Sequence, residues 1–189
     1  VLVLSEPLTL RLVLAAATIL GGIALAITGR KKNLRLQKMD LNKILSVTFS
    51  GLRSEEESAV KDLIDACQLP TQDLAGEMLR HFLVARKGDR VVGVIGLEIC
   101  GQHALLRSLA VAEDFRCQGI AARLTTFIAR YAVSHGIQKI YLLTMTAKDF
   151  FAKQGYVELD RSQAPADIQA TREFKDLCPD TAVCMYRAL

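Results

Sequence analysis

Within residues 105–121 an apolar strand ends in a charged turn and restarts as a helix, and this run restricts the chain more than any other feature. Leu105–Val111 (L-L-R-S-L-A-V) is apolar apart from Arg107 and Ser108. Glu113-Asp114 mark the turn. From Ile120 the apolar residues fall at Ile120, Leu124, Phe127, Ile128 and Tyr131, the stripe of an amphipathic helix. Between them stands Arg116-Cys117-Gln118-Gly119-Ile120-Ala121. Such a turn aims several backbone N–H groups and the positive end of a helix dipole at one point, which suits a phosphate or pyrophosphate. Gly119 lets the backbone approach an anion closely, and Ala121 keeps the next contact small. No GxxxxGK occurs, so a P-loop is not indicated.

A second block follows in order. Gly136 suits a left-handed helix stop, Lys139–Thr144 (K-I-Y-L-L-T) reads as a strand, and Thr146-x-x-Asp149 resembles a capping box opening a short helix that ends at Gly155-Tyr156. Together the two blocks resemble motifs A and B of the GNAT acyltransferases. The first matches Arg/Gln-x-x-Gly-x-Gly/Ala after a strand; the second, Ala147–Tyr156 (A-K-D-F-F-A-K-Q-G-Y), matches the helix with its terminal Gly-aromatic pair. The resemblance implies an α/β fold with a mixed, mainly antiparallel central sheet flanked by helices. It also implies acetyl-CoA as co-substrate and N-acetyl transfer to a small-molecule amine.

The remaining elements agree with that order. Ile44–Phe49 alternates as a first strand. Ser54 with Glu57 forms a capping box ahead of the stripe Val60, Leu63, Ile64 and Cys67, which Pro70 ends. Phe82–Arg86 and Arg90–Cys100 read as strands joined through Lys87-Gly88-Asp89. Pro165 starts a helix with Ile168, Phe174 and Leu177 inward, running to Cys178-Pro179, and Ala182–Leu189 closes the sheet.

Several roles are implied by the resemblance. The backbones of Leu109, Ala110 and Val111 would pair with the pantetheine arm, and the loop from Arg116 through Cys117, Gln118, Gly119 and Ile120 to Ala121 would hold the pyrophosphate. The Val111 N–H would face the oxyanion, while the side chains of Leu109 and Val111 pack in the core. Cys117 stands where glycine is common. Its thiol either gains acidity from the helix N-terminus or simply sits at the turn, and its bulk would weaken CoA binding without abolishing it. Many family members carry a Tyr four residues before the motif B glycine as acid for the departing thiolate; here that residue is Phe151, which walls the cofactor or packs in the core. Without that acid the CoA thiol, with a pKa of about 8.5, leaves as an anion, or else Tyr141 or a water serves in its place.

Two side chains carry the remaining chemistry. Glu98 is a candidate general base if it faces the cleft, where burial would raise its pKa; otherwise it is a solvated edge carboxylate. Arg107, with Ser108 beside it, is suited to grip an anionic group on the acceptor, or else it pairs with Glu98. The tail Pro165–Met185 resembles the ArsN-type subgroup associated with arsenic resistance, which implies an amino-acid-like or organoarsenical amine as acceptor. A catalytically weak acyl-CoA sensor, or a metalloid-binding module using Cys178 and Cys184, is the alternative.

Composition sets the bounds. At 189 residues, half of them hydrophobic, the chain suits one domain with an appendage. The net charge of +4 is modest and gathers in Arg30–Lys43, and no nucleic-acid-binding motif accompanies it. Five widely spaced cysteines fit a reduced cytoplasmic protein. No CxxC or HxxH spacing points to a metal, and His81, His103 and His135 are scattered.

Residues 1–28 differ from the rest. Leu8–Ile27 is apolar but for Thr9, Arg11 and Thr18, long enough to span a bilayer, with Arg30-Lys31-Lys32 on the cytoplasmic side. A buried helix or signal-like segment is the other reading. Glu6-Pro7-Leu8-Thr9 resembles the last segment of EamA-type transporters, which makes a fragment of a transporter–acetyltransferase fusion a further alternative. The division expected is therefore a hydrophobic helix over 1–28, a basic linker over 29–42 and the acetyltransferase domain over 43–189, tethered to the inner membrane face. A homodimer is compatible with this layout.

Overall fold

A sheet of seven strands organises the chain, in the order β1-β2-β3-β4-β5-β7-β6. The structure is a computed structural model that describes residues 47–189. The helix expected at 8–27, the linker at 29–42 and residues 44–46 of the first strand lie outside the described residues. Among the described residues no helix is long and apolar enough to cross a membrane.

The strands are β1 (Val47–Gly51), β2 (Phe82–Lys87), β3 (Arg90–Cys100), β4 (His103–Val111), β5 (Lys139–Thr144), β6 (Val157–Leu159) and β7 (Val183–Ala188). Every neighbouring pair is antiparallel except β4 with β5, which is parallel. This is the mixed, mainly antiparallel sheet that the resemblance implies. The short edge strand β6 was not expected, because three residues are too few to display a period of two.

Helices cover both faces. On one, α1 (Glu57–Ala66) buries Val60 and Ile64 against Phe82, Val84, Val94 and Ala110. On the other, α2 (Ile120–Ser134) turns Ile120, Leu124, Ile128 and Ala132 inward at a spacing of four, onto Ile95 and Leu97. There it is joined by α3 (Lys148–Lys153), whose buried Phe151 packs edge-on to Tyr156. Gly96 fits the first face closely, since a Cβ there would lie 2.3 Å from the Phe82 ring.

Three expectations about helix ends need correction. The capping box at α1 uses Glu56, whose carboxylate accepts from the Arg53 N–H at 3.0 Å, rather than the Ser54–Glu57 pair. Glu56 also pairs with the buried Arg86, which donates to Gly51 O at 2.8 Å and so fastens β1 and β2 to the start of α1. Before α3 the hydroxyl of Thr144, not Thr146, accepts from the Ala147 N–H at 3.0 Å. The helix expected from Pro165 to Cys178 is broken into α4 (Ala166–Gln169) and a π-turn at Glu173–Leu177. Ile168 and Phe174 are six residues apart, about 120° around a regular helix, so both can face the core only if the helix breaks between them.

Candidate active site

Strand β4 parts from β5 halfway along. Their pairing covers His103–Leu105 with Lys139–Tyr141, yet β4 continues to Val111 and β5 to Thr144. Beyond Leu105 the β5-facing backbone edge of β4 is therefore without a ladder partner, and buried backbone groups need one. On the β3 side Gly96 pairs with Arg107 and Val94 with Ala110, so Ser108 and Leu109 together oppose Ile95. This is a β-bulge, and Ser108 adopts φ +57° within it. Past the bulge the Ala112 N–H donates to Val92 O at 2.9 Å, and strand alternation turns the Val111 N–H away from β3, toward the splay. The side chain of Ala110 is buried, while Leu109 and Val111 are half-buried against the core.

The turn after β4 presents its backbone outward. Arg116, Cys117 and Gly119 are exposed, Ile120 is buried as the first core residue of α2, and Ala121 is half-buried. Gly119 is the N-cap with φ +77°, and no side chain caps the first turn of α2. Those first amides have no intrahelical acceptor and remain available to an anion. A Cβ on Gly119 would meet no protein atom, so within the protein only its backbone angle calls for glycine. Cys117 is at φ +58°, where glycine would be relaxed. Gln118 braces the turn through Asp114 O at 2.9 Å, and Arg116 Nε reaches back to Val111 O at 3.2 Å.

Arg107 is the centre of a buried ionic cluster. Its Nη1 and Nη2 donate to the two oxygens of Asp73 at 2.6 and 2.8 Å. Nη1 also reaches Glu98 Oε2 at 3.3 Å, and Nε lies 3.0 Å from Glu173 Oε2. That last contact is ionic and not a hydrogen bond, for both atoms are buried without one. Three carboxylates surround one cation. The Arg107 side chain is 1% exposed and that of Glu98 22%, so Glu98 is the member of the four most open to solvent. Burial pushes the Glu98 carboxyl above its usual range, with Arg107 opposing and Asp73 reinforcing the shift. Burial likewise pushes Glu173 up to about 7, again against Arg107 and with the Asp73 and Glu98 charges adding to it.

Glu98 thus faces inward, and of the two readings of Arg107 the pairing with Glu98 is observed. Its guanidinium is engaged by three of the protein's own carboxyl groups and is almost wholly buried. Ser108 is 8% exposed and shapes the bulge. Phe151 packs in the core against Phe150 and Tyr156. Tyr141 stacks on Tyr186 at the closed end of the splay, and burial pushes its phenol up. Cys178 lies 3.9 Å from Glu173 and Cys184 is buried in the core. Among the described residues no group of three His, Cys, Asp or Glu is arranged to hold a metal.

Sequence reasoning missed Asp73 and Glu173. Asp73 is a lone loop carboxylate with no periodicity to mark it. Glu173 was hidden by the assumption of an unbroken helix, although the six-residue gap between Ile168 and Phe174 was the available signal.

The family described as acetyltransferase (GNAT) matches residues 39–156. An uncharacterized N-acetyltransferase from Chlorobaculum tepidum is 30% identical over 111 residues, which cover 57% of this chain and 68% of that protein. Among solved structures, N-acetylglutamate synthase from Neisseria gonorrhoeae, complexed with coenzyme A and N-acetyl-glutamate, superposes with a TM-score of 0.67 at 16% identity over 76% of this chain. The match spans about a third (35%) of the synthase chain. Rv2747 from Mycobacterium tuberculosis, solved in complex with CoA, gives 0.64 at 21% identity over 75% of this chain and 99% of its own.

Proposed function

The chain belongs to the acetyltransferase (GNAT) family, and from that premise we propose that it transfers acetyl from acetyl-CoA to the amine of a small acceptor. The observation that carries this reading is the parting of β4 from β5 after Leu105 and Tyr141, which leaves an unpaired strand edge beside an inward-facing carboxylate. The outward-facing, uncapped turn at Arg116–Ala121 fits a pyrophosphate, and the free edge at Leu109–Val111 fits an amide-bearing arm. Acetyl-CoA would supply an acyl group activated as a thioester. Glu98 takes the proton from the acceptor's ammonium, which frees its lone pair for attack. The Val111 N–H faces the oxygen on which negative charge develops. With phenylalanine at 151, a thiol whose pKa is about 8.5 leaves as the anion without a protein acid.

The acceptor follows from charge and from the tail. An excess of carboxylate over guanidinium at the inner end of the site favours the ammonium group of the acceptor. The narrower acceptor, a small amino-acid-like or organoarsenical anion in arsenic resistance, is supported by the resemblance of Pro165–Met185 to the ArsN-type subgroup. With Arg107 engaged, the anionic group of such a molecule would be held by a different cation. A tether through residues 8–27, a linker over 29–42 and a relation to EamA-type transporters are part of the same proposal and rest on sequence alone.

The test is release of free thiol from acetyl-CoA by the 189-residue chain against a panel of amino acids and amine-bearing arsenicals. Acceptor-dependent release is expected. Saturable CoA binding with no turnover on any amine would replace the enzyme with an acyl-CoA sensor, and absence of CoA binding would overturn both.

A further inference from the structure

Glu173 has no task in the chemistry above, yet the fold holds it in place with care. It opens the π-turn, and the Cys178 N–H donates to its carbonyl at 3.0 Å. Arg161 closes the turn from outside. Its guanidinium donates to the carbonyls of Phe174, of Cys178 at 3.4 Å and of Pro179 at 2.8 Å, and it lies 4.7 Å over the Phe174 ring. The result aims a nearly buried carboxylate at the one edge of Arg107 that Asp73 and Glu98 leave unused, with Oε2 3.0 Å from Nε.

We propose that Glu173 is a positioning residue for Glu98, acting through the guanidinium they share to set how tightly Glu98 holds a proton. Asp73 already offsets the charge of Arg107 in a two-point pair. Glu98 and Glu173 then compete for what remains of its field and repel one another, so an ionised Glu173 makes Glu98 a stronger base. The other groups facing the pair are Cys100 on Glu98's own strand, Cys178 at the end of the π-turn, and Asp167 of α4, which acts on Cys100. The burial that raises both glutamates, and the coupling of each to Asp73, agree with this geometry. Use of the coupling in catalysis rests on the acetyl-transfer reading; the coupling itself does not.

The experiment is a 13C NMR titration of the Glu173 side-chain carboxyl in the full chain, wild type against Glu98→Gln, because Glu173, raised to about 7, ionises beside a Glu98 that is already charged. The midpoint of Glu173 is expected to fall by at least about half a pH unit when the Glu98 charge is removed. Glu98→Asp, which keeps the charge, is expected to retain most of the wild-type midpoint. The coupling is reciprocal, so the same interaction tightens the hold of Glu98 on a proton whenever Glu173 is ionised, and Glu98→Ala, which should give the same shift, keeps the test decisive if Glu98→Gln does not fold. Unchanged midpoints in folded variants would overturn the proposal, even if thiol release shows the chain to be an acetyltransferase. Shifted midpoints in a chain that acetylates no amine would uphold the coupling and remove the enzymatic reading instead.

Discussion

Asp73 and Arg107 form a two-point ion pair at 2.6 and 2.8 Å, with side chains only 2% and 1% exposed. The pair joins a loop to the middle of β4 and leaves Glu98 and Glu173 to share what remains of the cation. Its removal is therefore a matter of stability before it is one of substrate affinity. Arg107→Ala would bury three carboxylates without a counter-charge, and a loss of about 3–5 kcal/mol is expected at pH 7. The loss should shrink toward pH 5, as the carboxyls take up protons. Urea unfolding at the two pH values checks this; a variant as stable as wild type at pH 7 would show the cluster to be incidental.

Glu173 gives the wild-type protein a pH dependence of definite sign. Its folded-state pKa is raised from 4.5 to about 7, chiefly by burial. The folded state therefore binds the extra proton, and the stability this group contributes is full below pH 4.5 and is lost as pH rises through about 7. The difference is on the order of 3 kcal/mol across that window. Glu173→Gln should flatten this part of the stability–pH curve. An equally steep fall in the variant would assign the slope to other groups.

Glu98→Gln should lower kcat by roughly 100-fold near neutral pH, the usual cost of losing a positioned base. Without Glu98, turnover depends on the fraction of amine already unprotonated, so the deficit should narrow as pH approaches the amine's own pKa. A loss that is uniform across pH would make Glu98 a structural partner of Arg107 and nothing more.

The turn after β4 offers two opposite substitutions. Gly119→Ala puts a side chain at φ +77°, at a cost of about 1 kcal/mol in stability. A Cβ there meets no protein atom, so a CoA affinity reduced by roughly tenfold or more would report the approach of the ligand itself. Cys117→Gly relaxes a residue at φ +58°, and a gain of up to about 1 kcal/mol with tighter CoA binding is expected. Calorimetric titration with CoA measures both. If neither variant alters affinity, the pyrophosphate is held elsewhere.

Gly96→Ala tests the packing beneath the cluster. The added Cβ would lie 2.3 Å from the ring of Phe82, which is fully buried and has nowhere to retreat. A destabilisation of about 1–3 kcal/mol is expected from overpacking, with part recovered when Phe82→Leu is combined with it. Thermal or urea unfolding of the single and double variants decides the point.

The elements that position the site were legible because they repeat or punctuate. The spacing of four along α2, the glycine at 119 and the strand at Lys139–Thr144 are local signals, and the structure has them at those positions. What escaped was long-range. Glu98 and Arg107 share a hairpin, and their pairing was one of the two readings available, but Asp73 and Glu173 come from a loop and a π-turn, and nothing in the sequence spacing brings them to that pair. The bulge at Ser108 was likewise invisible, because it is defined by register against Ile95 on another strand. Arg107 was ambiguous for a related reason. An arginine in an apolar strand marks a buried ionic site, but only the fold says whether its partner is a substrate or the protein's own carboxylates.

The measurement that tests the account most directly is amide hydrogen exchange of the 189-residue chain with and without acetyl-CoA. Protection is expected to rise on the free edge of β4 at Leu109–Val111 and at the turn Arg116–Ala121, since those backbone groups would be covered by the pantetheine arm and the pyrophosphate. Protection that appears elsewhere, or no change at saturating acetyl-CoA, would contradict it.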